Sequence, residues 1–427
     1  MKTKVGYFGK FPPEHYAHAL DTALNVQLLS GISEIEPVYL TQNREMGSNY
    51  MWNDTNFSVV PVPNVKIYNC YDYVQNASNS KDYGLTTFLK SKDKTDSFVS
   101  FLKDMGIDVM FIDNYPDFWE KIVNACKQSG IKSILYVDLA CDNPETEPIL
   151  SINNEFIRPI KEADYVVVPQ PNIESTLAKY GLKGSKDISV VHKSVDFGLT
   201  ERIRNRENKE LYDELGLSHL YDESTLLYTY AGRLAEIKNV TSLLGENWTN
   251  VCKHVVEKRP GVQNVNPHLL ITGVGENEKE CAEFARKNPN FTFLKGWLSS
   301  YEDALKIKRI ADVFVFPSGR ELTSRTPMEC MAMKTPVALC DTPSNSIYQD
   351  YAQVIYTKDW GVSKAHSWMR YQQPDDRDLV EKLIHLGRNP DYRKRLGERG
   401  YEFARKTFSP ENVRAEFLDA LNKVRKE

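Results

Sequence analysis

The sequence predicts an α/β protein of two doubly wound, Rossmann-like domains facing across a cleft. Three observations carry this. Short apolar runs alternate with helical patterns along nearly all of the 427 residues. The chain is too long for one small core. A polar stretch without strands, Ser194–Glu223, interrupts the alternation near the middle and is expected to be the linker.

In the first half, Val5–Phe8, Val38–Leu40, Val109–Ile112, Ser133–Val137, Tyr165–Val168 and Ile188–Val191 are continuous apolar runs, the pattern of buried parallel strands. Tyr16–Ser30, Ser97–Met105, Asp117–Ser129 and Ile173–Tyr180 have helical spacing between them. Residues 42–84 break this β-α-β rhythm with Asn, Asp and aromatic residues, among them Tyr50, Trp52, Phe57, Tyr71 and Tyr83. They read as an irregular insertion, or as a surface of flat rings on which an acceptor stacks. The second half repeats the pattern with strands at Thr225–Tyr230, His268–Thr272, Phe291–Leu294, Val313–Phe316, Pro336–Leu339 and Gln353–Tyr356. A final amphipathic helix spans roughly Pro410–Val424. The expected domains are residues 1–195 and 196–409, with the helix at about 410–427 returning to the first.

Composition narrows the function. A net charge of −4 is spread thinly: the first 200 residues hold 19 Lys+Arg against 25 Asp+Glu (−6), the rest 35 against 33 (+2). Neither half is a basic nucleic-acid module. Seven scattered cysteines without CxxC or Cys/His spacing argue against a disulfide framework and a zinc site, and they fit a reducing, cytoplasmic compartment. Met1–Gly9 lacks an apolar h-region and reads as a first strand, not a signal peptide. No run of about 18 apolar residues predicts a membrane span.

The residues able to carry chemistry follow strands. Phe316-Pro317-Ser318-Gly319-Arg320-Glu321 leads out of the Val313–Phe316 run, and Glu329 follows inside a helical pattern. A strand that turns into a helix start is where α/β folds hold phosphates and sugars. Two carboxylates there fit a general acid/base pair, a clamp on vicinal hydroxyls, or plain surface acids. Strand Thr225–Tyr230 runs into Gly232, Arg233 and Lys238. Arginine offers a planar fork to phosphate oxygens and lysine a point charge, although two such cations alone also fit a solvated face. Gly273-Val274-Gly275 follows another strand but lacks the third glycine of a dinucleotide fingerprint. In the first half, Asp138 and Asp142 lie past a strand end, and Gly9, His15 and His18 lie at the first strand–helix turn.

Taken together these pieces resemble the retaining GT-B glycosyltransferases of the GT4-type family, the glycosyl transferases group 1 pattern. Gly232-Arg233-Leu234 with Lys238-Asn239 resembles the family's GRL…KN segment, and Leu270–Gly275 its strand and GxG turn. Gly296-Trp297-Leu298 resembles the turn beside the nucleotide base. Ala311–Ser318, Glu321 and Glu329-Cys330-Met331-Ala332-Met333 resemble its PS…E-x7-E-A-M-A block, and Asn389–Gly397 its late helices.

The resemblance implies a metal-independent enzyme without a cofactor that moves a sugar from a nucleoside-diphosphate donor, a UDP-sugar favoured, to a hydroxyl acceptor. It implies that Arg233 and Lys238 stabilise the leaving diphosphate and that Glu329 holds the ribose hydroxyls. Glu321 would touch the donor sugar, with Leu322 and Thr323 beside it, and Gly232, Gly273 and Leu298 would line the donor. The chain departs from the pattern at several places. Phe11–Ala17 supplies no glycine after Gly9. Asp138 stands where many members carry a histidine near the donor's C6 hydroxyl, which widens the expected donor to pentoses. Arg325 in the Ser324–Pro327 filling offers a third positive charge at the diphosphate. The glycine pair common after the next strand is missing from Asp341–Ser346. The acceptor is left open among glycans, lipid-linked sugars and hydroxymethylated cytosine in phage DNA, for which a flipped base would stack on the 42–84 insertion beside Lys81, Lys90, Lys92 and Lys94. A GT-B sugar-nucleotide epimerase and a non-catalytic nucleotide-sugar binding module are the rival functions. The oligomeric state is not legible.

Overall fold

The computed structural model describes residues 2–8, 17–41, 50–52, 65–69, 92–113, 116–138, 154–179, 181–184, 187–255, 265–296, 298, 300–364 and 370–426. The described residues up to Ser194, with the helix Pro410–Lys426, form one compact unit, and Val195–Ser409 forms a second.

In the first unit, strands β1 (Thr3–Phe8), β2 (Ile35–Thr41), β3 (Tyr50–Trp52), β4 (Val65–Asn69), β5 (Val109–Ile112), β6 (Lys132–Tyr136), β7 (Tyr165–Val168) and β8 (Ile188–Val190) make one sheet in the order β3-β4-β2-β1-β5-β6-β7-β8. Neighbours are parallel except β3, which runs antiparallel to β4 at the edge. The centre is apolar on both faces: every residue of β5 and β7 is buried, as expected for strands covered by crossover helices. Helix Pro410–Lys426 turns Phe417, Ala420, Leu421 and Val424 inward at i, i+3, i+4 and i+7. Phe417 meets the Phe111 ring at 5.3 Å. Glu416 accepts from the His192 backbone amide and bonds its Nδ1, both at 2.9 Å. Strands β3 and β4 fall inside the 42–84 insertion; its remaining residues lie outside the described ones.

In the second unit, β9 (Thr225–Ala231), β10 (Asn266–Gly273), β11 (Phe291–Lys295), β12 (Val313–Phe316), β13 (Val337–Cys340) and β14 (Gln353–Ile355) form an all-parallel sheet in the order β11-β10-β9-β12-β13-β14. The strand order reverses between β9 and β12. In an open α/β sheet that reversal opens a crevice at the carboxyl ends of the two strands, and the loops leaving them are Gly232–Asn239 and Pro317–Glu321.

The expected linker is largely part of this second unit. Phe197–Arg204 and Asn208–Glu214 are helices. Asp196 caps the first, its side chain accepting from the Leu199 amide at 2.8 Å. Leu199, Ile203, Leu211, Tyr212 and Leu217 then join a core cluster with Leu227, Leu270 and Ile307. The apolar spacing was there in the sequence, masked by the charges between. A second unforeseen element is an antiparallel hairpin of β15 (Thr357–Val362) and β16 (Arg370–Pro374). Its first strand is mostly exposed, so it carries little of the apolar run that marks a buried strand.

Candidate functional site

The loops leaving β9 and β10 run side by side. The Gly232 amide donates to Thr272 O at 3.1 Å and the Leu234 amide to Val274 O at 2.7 Å. Gly273 and Gly275 both have φ of +149°, and a Cβ on Gly273 would stand 1.8 Å from Gly232 O. The Gly-x-Gly segment thus exists to let a second backbone pass. Gly273→Ala should cost about 3 kcal/mol or more, since positive φ alone strains a side chain by about 1–3 kcal/mol. Urea unfolding checks this, and a midpoint shift worth less than about 0.5 kcal/mol would mean the loops are not so closely apposed.

This crossing fixes Arg233 and Lys238. Leu234 is buried, the Tyr230 hydroxyl donates to Arg233 O at 2.7 Å, and the Arg233 side chain is exposed. Lys238 closes a 3-10 turn, Glu236–Lys238, and its ammonium meets Glu321 Oε1 at 2.5 Å, with both side chains mostly covered. Burial first, then the Glu321 carboxylate, push the Tyr230 phenol far up, while Arg233 pulls the other way. The Tyr230 hydroxyl is thus within electrostatic reach of both charges.

Asn239 ties the two loops together. It has left-handed φ of +50°, which asparagine tolerates better than most residues. Its Nδ2 donates to Pro317 O at 3.0 Å and to Gln372 O at 2.7 Å. Gly319 donates to Ile237 O and accepts from the Gln372 amide, each at 3.0 Å; a Cβ there would stand 1.8 Å from Gln372 O. Strand β16 of the hairpin thus braces, through Gln372, the turn that presents Glu321. The Ser344 hydroxyl donates to Glu321 O at 2.6 Å, and the Tyr348 hydroxyl to Ser324 O at 2.7 Å. Where the usual glycine pair is missing, these side chains strap the 321–324 segment.

Glu329 is almost fully buried on the helix Arg325–Ala332. Its Oε1 accepts from the Tyr301 hydroxyl at 2.8 Å and from Arg325 Nε at 3.1 Å; its Oε2 meets Lys308 Nζ at 3.0 Å. The set follows from helical spacing. Arg325 and Glu329 are four apart on one helix. Tyr301 and Lys308 are seven apart on the facing helix Tyr301–Ile310, hence on one face. Burial would raise the Glu329 pKa, but Lys308 and Arg325 overcome it and hold the carboxyl below its ordinary value. Burial, then Glu329, raise the Tyr301 phenol well above its own.

The structure therefore pairs Lys238 with Glu321 in the loops leaving β9 and β12, with Arg233 on the same loop as Lys238, and gives Glu329 Tyr301, Arg325 and Lys308 as partners. Arg325, expected at the diphosphate, donates from Nε to Glu329 Oε1 four residues on at 3.1 Å. Gly232 and Gly273 serve the loop crossing. Leu298 packs partly buried against the core, Leu322 is exposed and Thr323 buried. In the first unit Asp138 pairs with Lys193 at 2.8 Å, both nearly buried. His18 lies in the helix Ala17–Ser30; its side chain, and Gly9, His15 and Asp142 entirely, lie outside the described residues. Sequence reasoning missed Tyr301, Lys308 and Lys193; the seven-residue spacing of the first two was the available signal. Among the described residues no three His, Cys, Asp or Glu side chains gather as metal ligands, and no helix is long and apolar enough to cross a membrane.

Residues 218–403 match the family model for glycosyl transferases group 1. An uncharacterized glycosyltransferase of Methanocaldococcus jannaschii is 23% identical over 233 residues, 53% of this chain and 57% of that protein, so the match spans little more than half of the relative. Sucrose-phosphate synthase from Thermosynechococcus elongatus superimposes with a TM-score of 0.69 at 12% identity over 100% of both chains. Anabaena HepE, solved in complex with UDP, gives 0.62 at 10% identity over 98% of this chain and 99% of its own. At these identities the likeness shows the fold, which is the two-unit Rossmann-like architecture called GT-B.

Proposed function

We propose that this chain, whose second unit carries the glycosyl transferases group 1 domain, moves a sugar from a nucleoside diphosphate to a hydroxyl acceptor with retention of anomeric configuration. The observation that carries the reading is the Lys238–Glu321 pair, with Arg233 on the same loop as Lys238, at the reversal of a parallel sheet within the matched residues. A diphosphate entering there takes Lys238 into charge-assisted bonds and frees Glu321 to accept from sugar hydroxyls. Arg233 and Lys238 then neutralise the charge that grows as the bond from C1 to the phosphate oxygen breaks. The new bond forms from the acceptor oxygen to C1 on the same face, and the departing phosphate takes the acceptor's proton. With two cations on the leaving group, no metal is needed for this step. Val195–Ser409 takes the donor, and the unit up to Ser194 the acceptor. The UDP held by the Anabaena relative favours a uridine donor.

A panel of UDP-, GDP- and ADP-sugars should raise the melting temperature selectively, and candidate acceptors, including hydroxymethylcytosine DNA, should then release the nucleotide. A flat thermal response would sink any nucleotide-sugar site. Selective binding without transfer to any acceptor would favour a binding module, and conversion of the donor sugar alone an epimerase. The acidic balance of the first 200 residues weighs against DNA, whose phosphates call for a basic face.

A further inference from the structure

The helix Arg325–Ala332 ends on a lysine held in an unusual backbone. The Lys334 amide donates to Met331 O at 3.0 Å and the Thr335 amide to Cys330 O at 2.9 Å. This pair of bonds is the Schellman cap, whose left-handed residue is ordinarily glycine. Lys334 takes that place with φ of +61°, which strains a residue that has a Cβ. Such strain persists where a residue has a use. The Lys334 ammonium stands 5.1 Å from the centre of the Tyr401 ring, and the Arg204 guanidinium stands 4.4 Å from the same centre. The Tyr401 hydroxyl donates to Glu201 at 3.2 Å and accepts from Arg405 at 3.3 Å, which fixes the ring. Arg309 Nε donates to Arg204 O at 3.3 Å. The Thr335 hydroxyl donates to Lys308 O at 2.7 Å, joining the chain beside Lys334 to the chain beside Arg309.

Three cations thus gather with little to offset them. Among the described residues Glu201, 3.5 Å from Arg204, is the only carboxylate paired with any of the three. Arg309 is half-buried, and the bond from Nε is the one hydrogen bond its side chain makes to a described residue. Burial first, then the Arg204 charge, hold its pKa down. An anion would relieve both cations. We propose that Arg204, Arg309 and Lys334 form a binding site for a phosphate group, borne by a phosphorylated small molecule or present as the free ion. Each arginine offers a planar fork to phosphate oxygens and the lysine a point charge. The site is not the donor crevice. Arg309 lies just before β12 and Lys334 just before β13, whereas the Lys238 and Glu321 loops follow the carboxyl ends of β9 and β12. In a parallel sheet these are opposite edges.

The experiment is calorimetric titration of the purified protein with inorganic phosphate and with glycerol phosphate, at constant ionic strength. Saturating UDP, or Lys238→Ala if UDP does not bind, removes the donor crevice as a competing site. The result then does not depend on the nucleotide-sugar reading. Phosphate should bind saturably, and Arg309→Met should weaken it about tenfold or more, the loss of bonds to a charged group. Tighter binding of glycerol phosphate would identify the ligand as an ester, equal binding as the free ion, and either supports the site. Lys334→Gly should weaken phosphate binding comparably yet raise the melting temperature by about 2–4 °C, because the cap is relieved of strain. A gain in stability with a loss of binding cannot come from misfolding. No saturable binding of either probe by the parent, up to about 10 mM, would overturn the proposal. So would unchanged phosphate affinity in either variant, with circular dichroism like the parent's.

Discussion

Replacing Lys238 by alanine is expected to lower the turnover number of sugar transfer by about 10²–10³-fold, the usual cost of removing one group aimed at developing charge. In the proposed transfer the leaving diphosphate is the most charged species, and Lys238 is a cation at the crevice between β9 and β12 with a carboxylate already on it. Stability should suffer less. The Lys238 and Glu321 side chains are 15% and 12% exposed, so breaking the pair should cost less than the roughly 3–5 kcal/mol of a fully buried one and more than the roughly 0–1 kcal/mol of a surface one. Turnover at saturating donor, with the melting temperature alongside, separates the two effects. Near-normal turnover in a folded Lys238→Ala protein would remove the lysine from the chemistry and with it the central support for the donor site. Arginine is not expected to rescue, because its broad fork cannot sit where a point charge meets Glu321 Oε1 at 2.5 Å.

The parallel strands were legible because they are buried on both faces and read as unbroken apolar runs; β7 and β12 lie where the runs Tyr165–Val168 and Val313–Phe316 put them. The crevice residues were legible because strand ends followed by glycine and charge are rare in a plain core. What the sequence hid has particular causes. The helices Phe197–Arg204 and Asn208–Glu214 place their apolar residues between charges, so composition pointed to a linker. The hairpin exposes most of β15. The partners of Glu329 were missed because Tyr301 and Lys308 belong to a helix distant in sequence, and a lone lysine on an amphipathic helix reads as solvated. The pairing of Arg325 with Glu329 was not foreseen, although the two stand one helical turn apart. Three-dimensional neighbours, not residue types, settled each of these.

Glu329→Leu should destabilise the second unit by roughly 3–5 kcal/mol, because it leaves Lys308 and Arg325 buried without a counter-charge. The loss should exceed what the removed hydrogen bonds alone are worth, and that excess is the mark of a stranded charge. Two measurements test the cause. The first is pH. The folded carboxyl lies below its ordinary value of 4.5, so between the two values the unfolded chain binds the extra proton. The stabilisation is complete above about 4.5 and is lost as pH falls through the lower, folded value. Urea unfolding at neutral pH and again at pH below 4 should show the gap between the wild type and Glu329→Gln narrowing with acid. A gap independent of pH would mean the carboxylate's charge is not what holds the cluster. The second measurement is replacement of the whole set. Lys308→Met, Arg325→Met and Glu329→Leu together remove both charges and counter-charge, and the combined protein should be more stable than Glu329→Leu alone. A combined protein no more stable than Glu329→Leu would mean that stranded charge is not the cause of the loss. Packing of the helices Tyr301–Ile310 and Arg325–Ala332 can be met by apolar groups, whereas an ionised carboxylate at that depth needs the two cations that hold its pKa down.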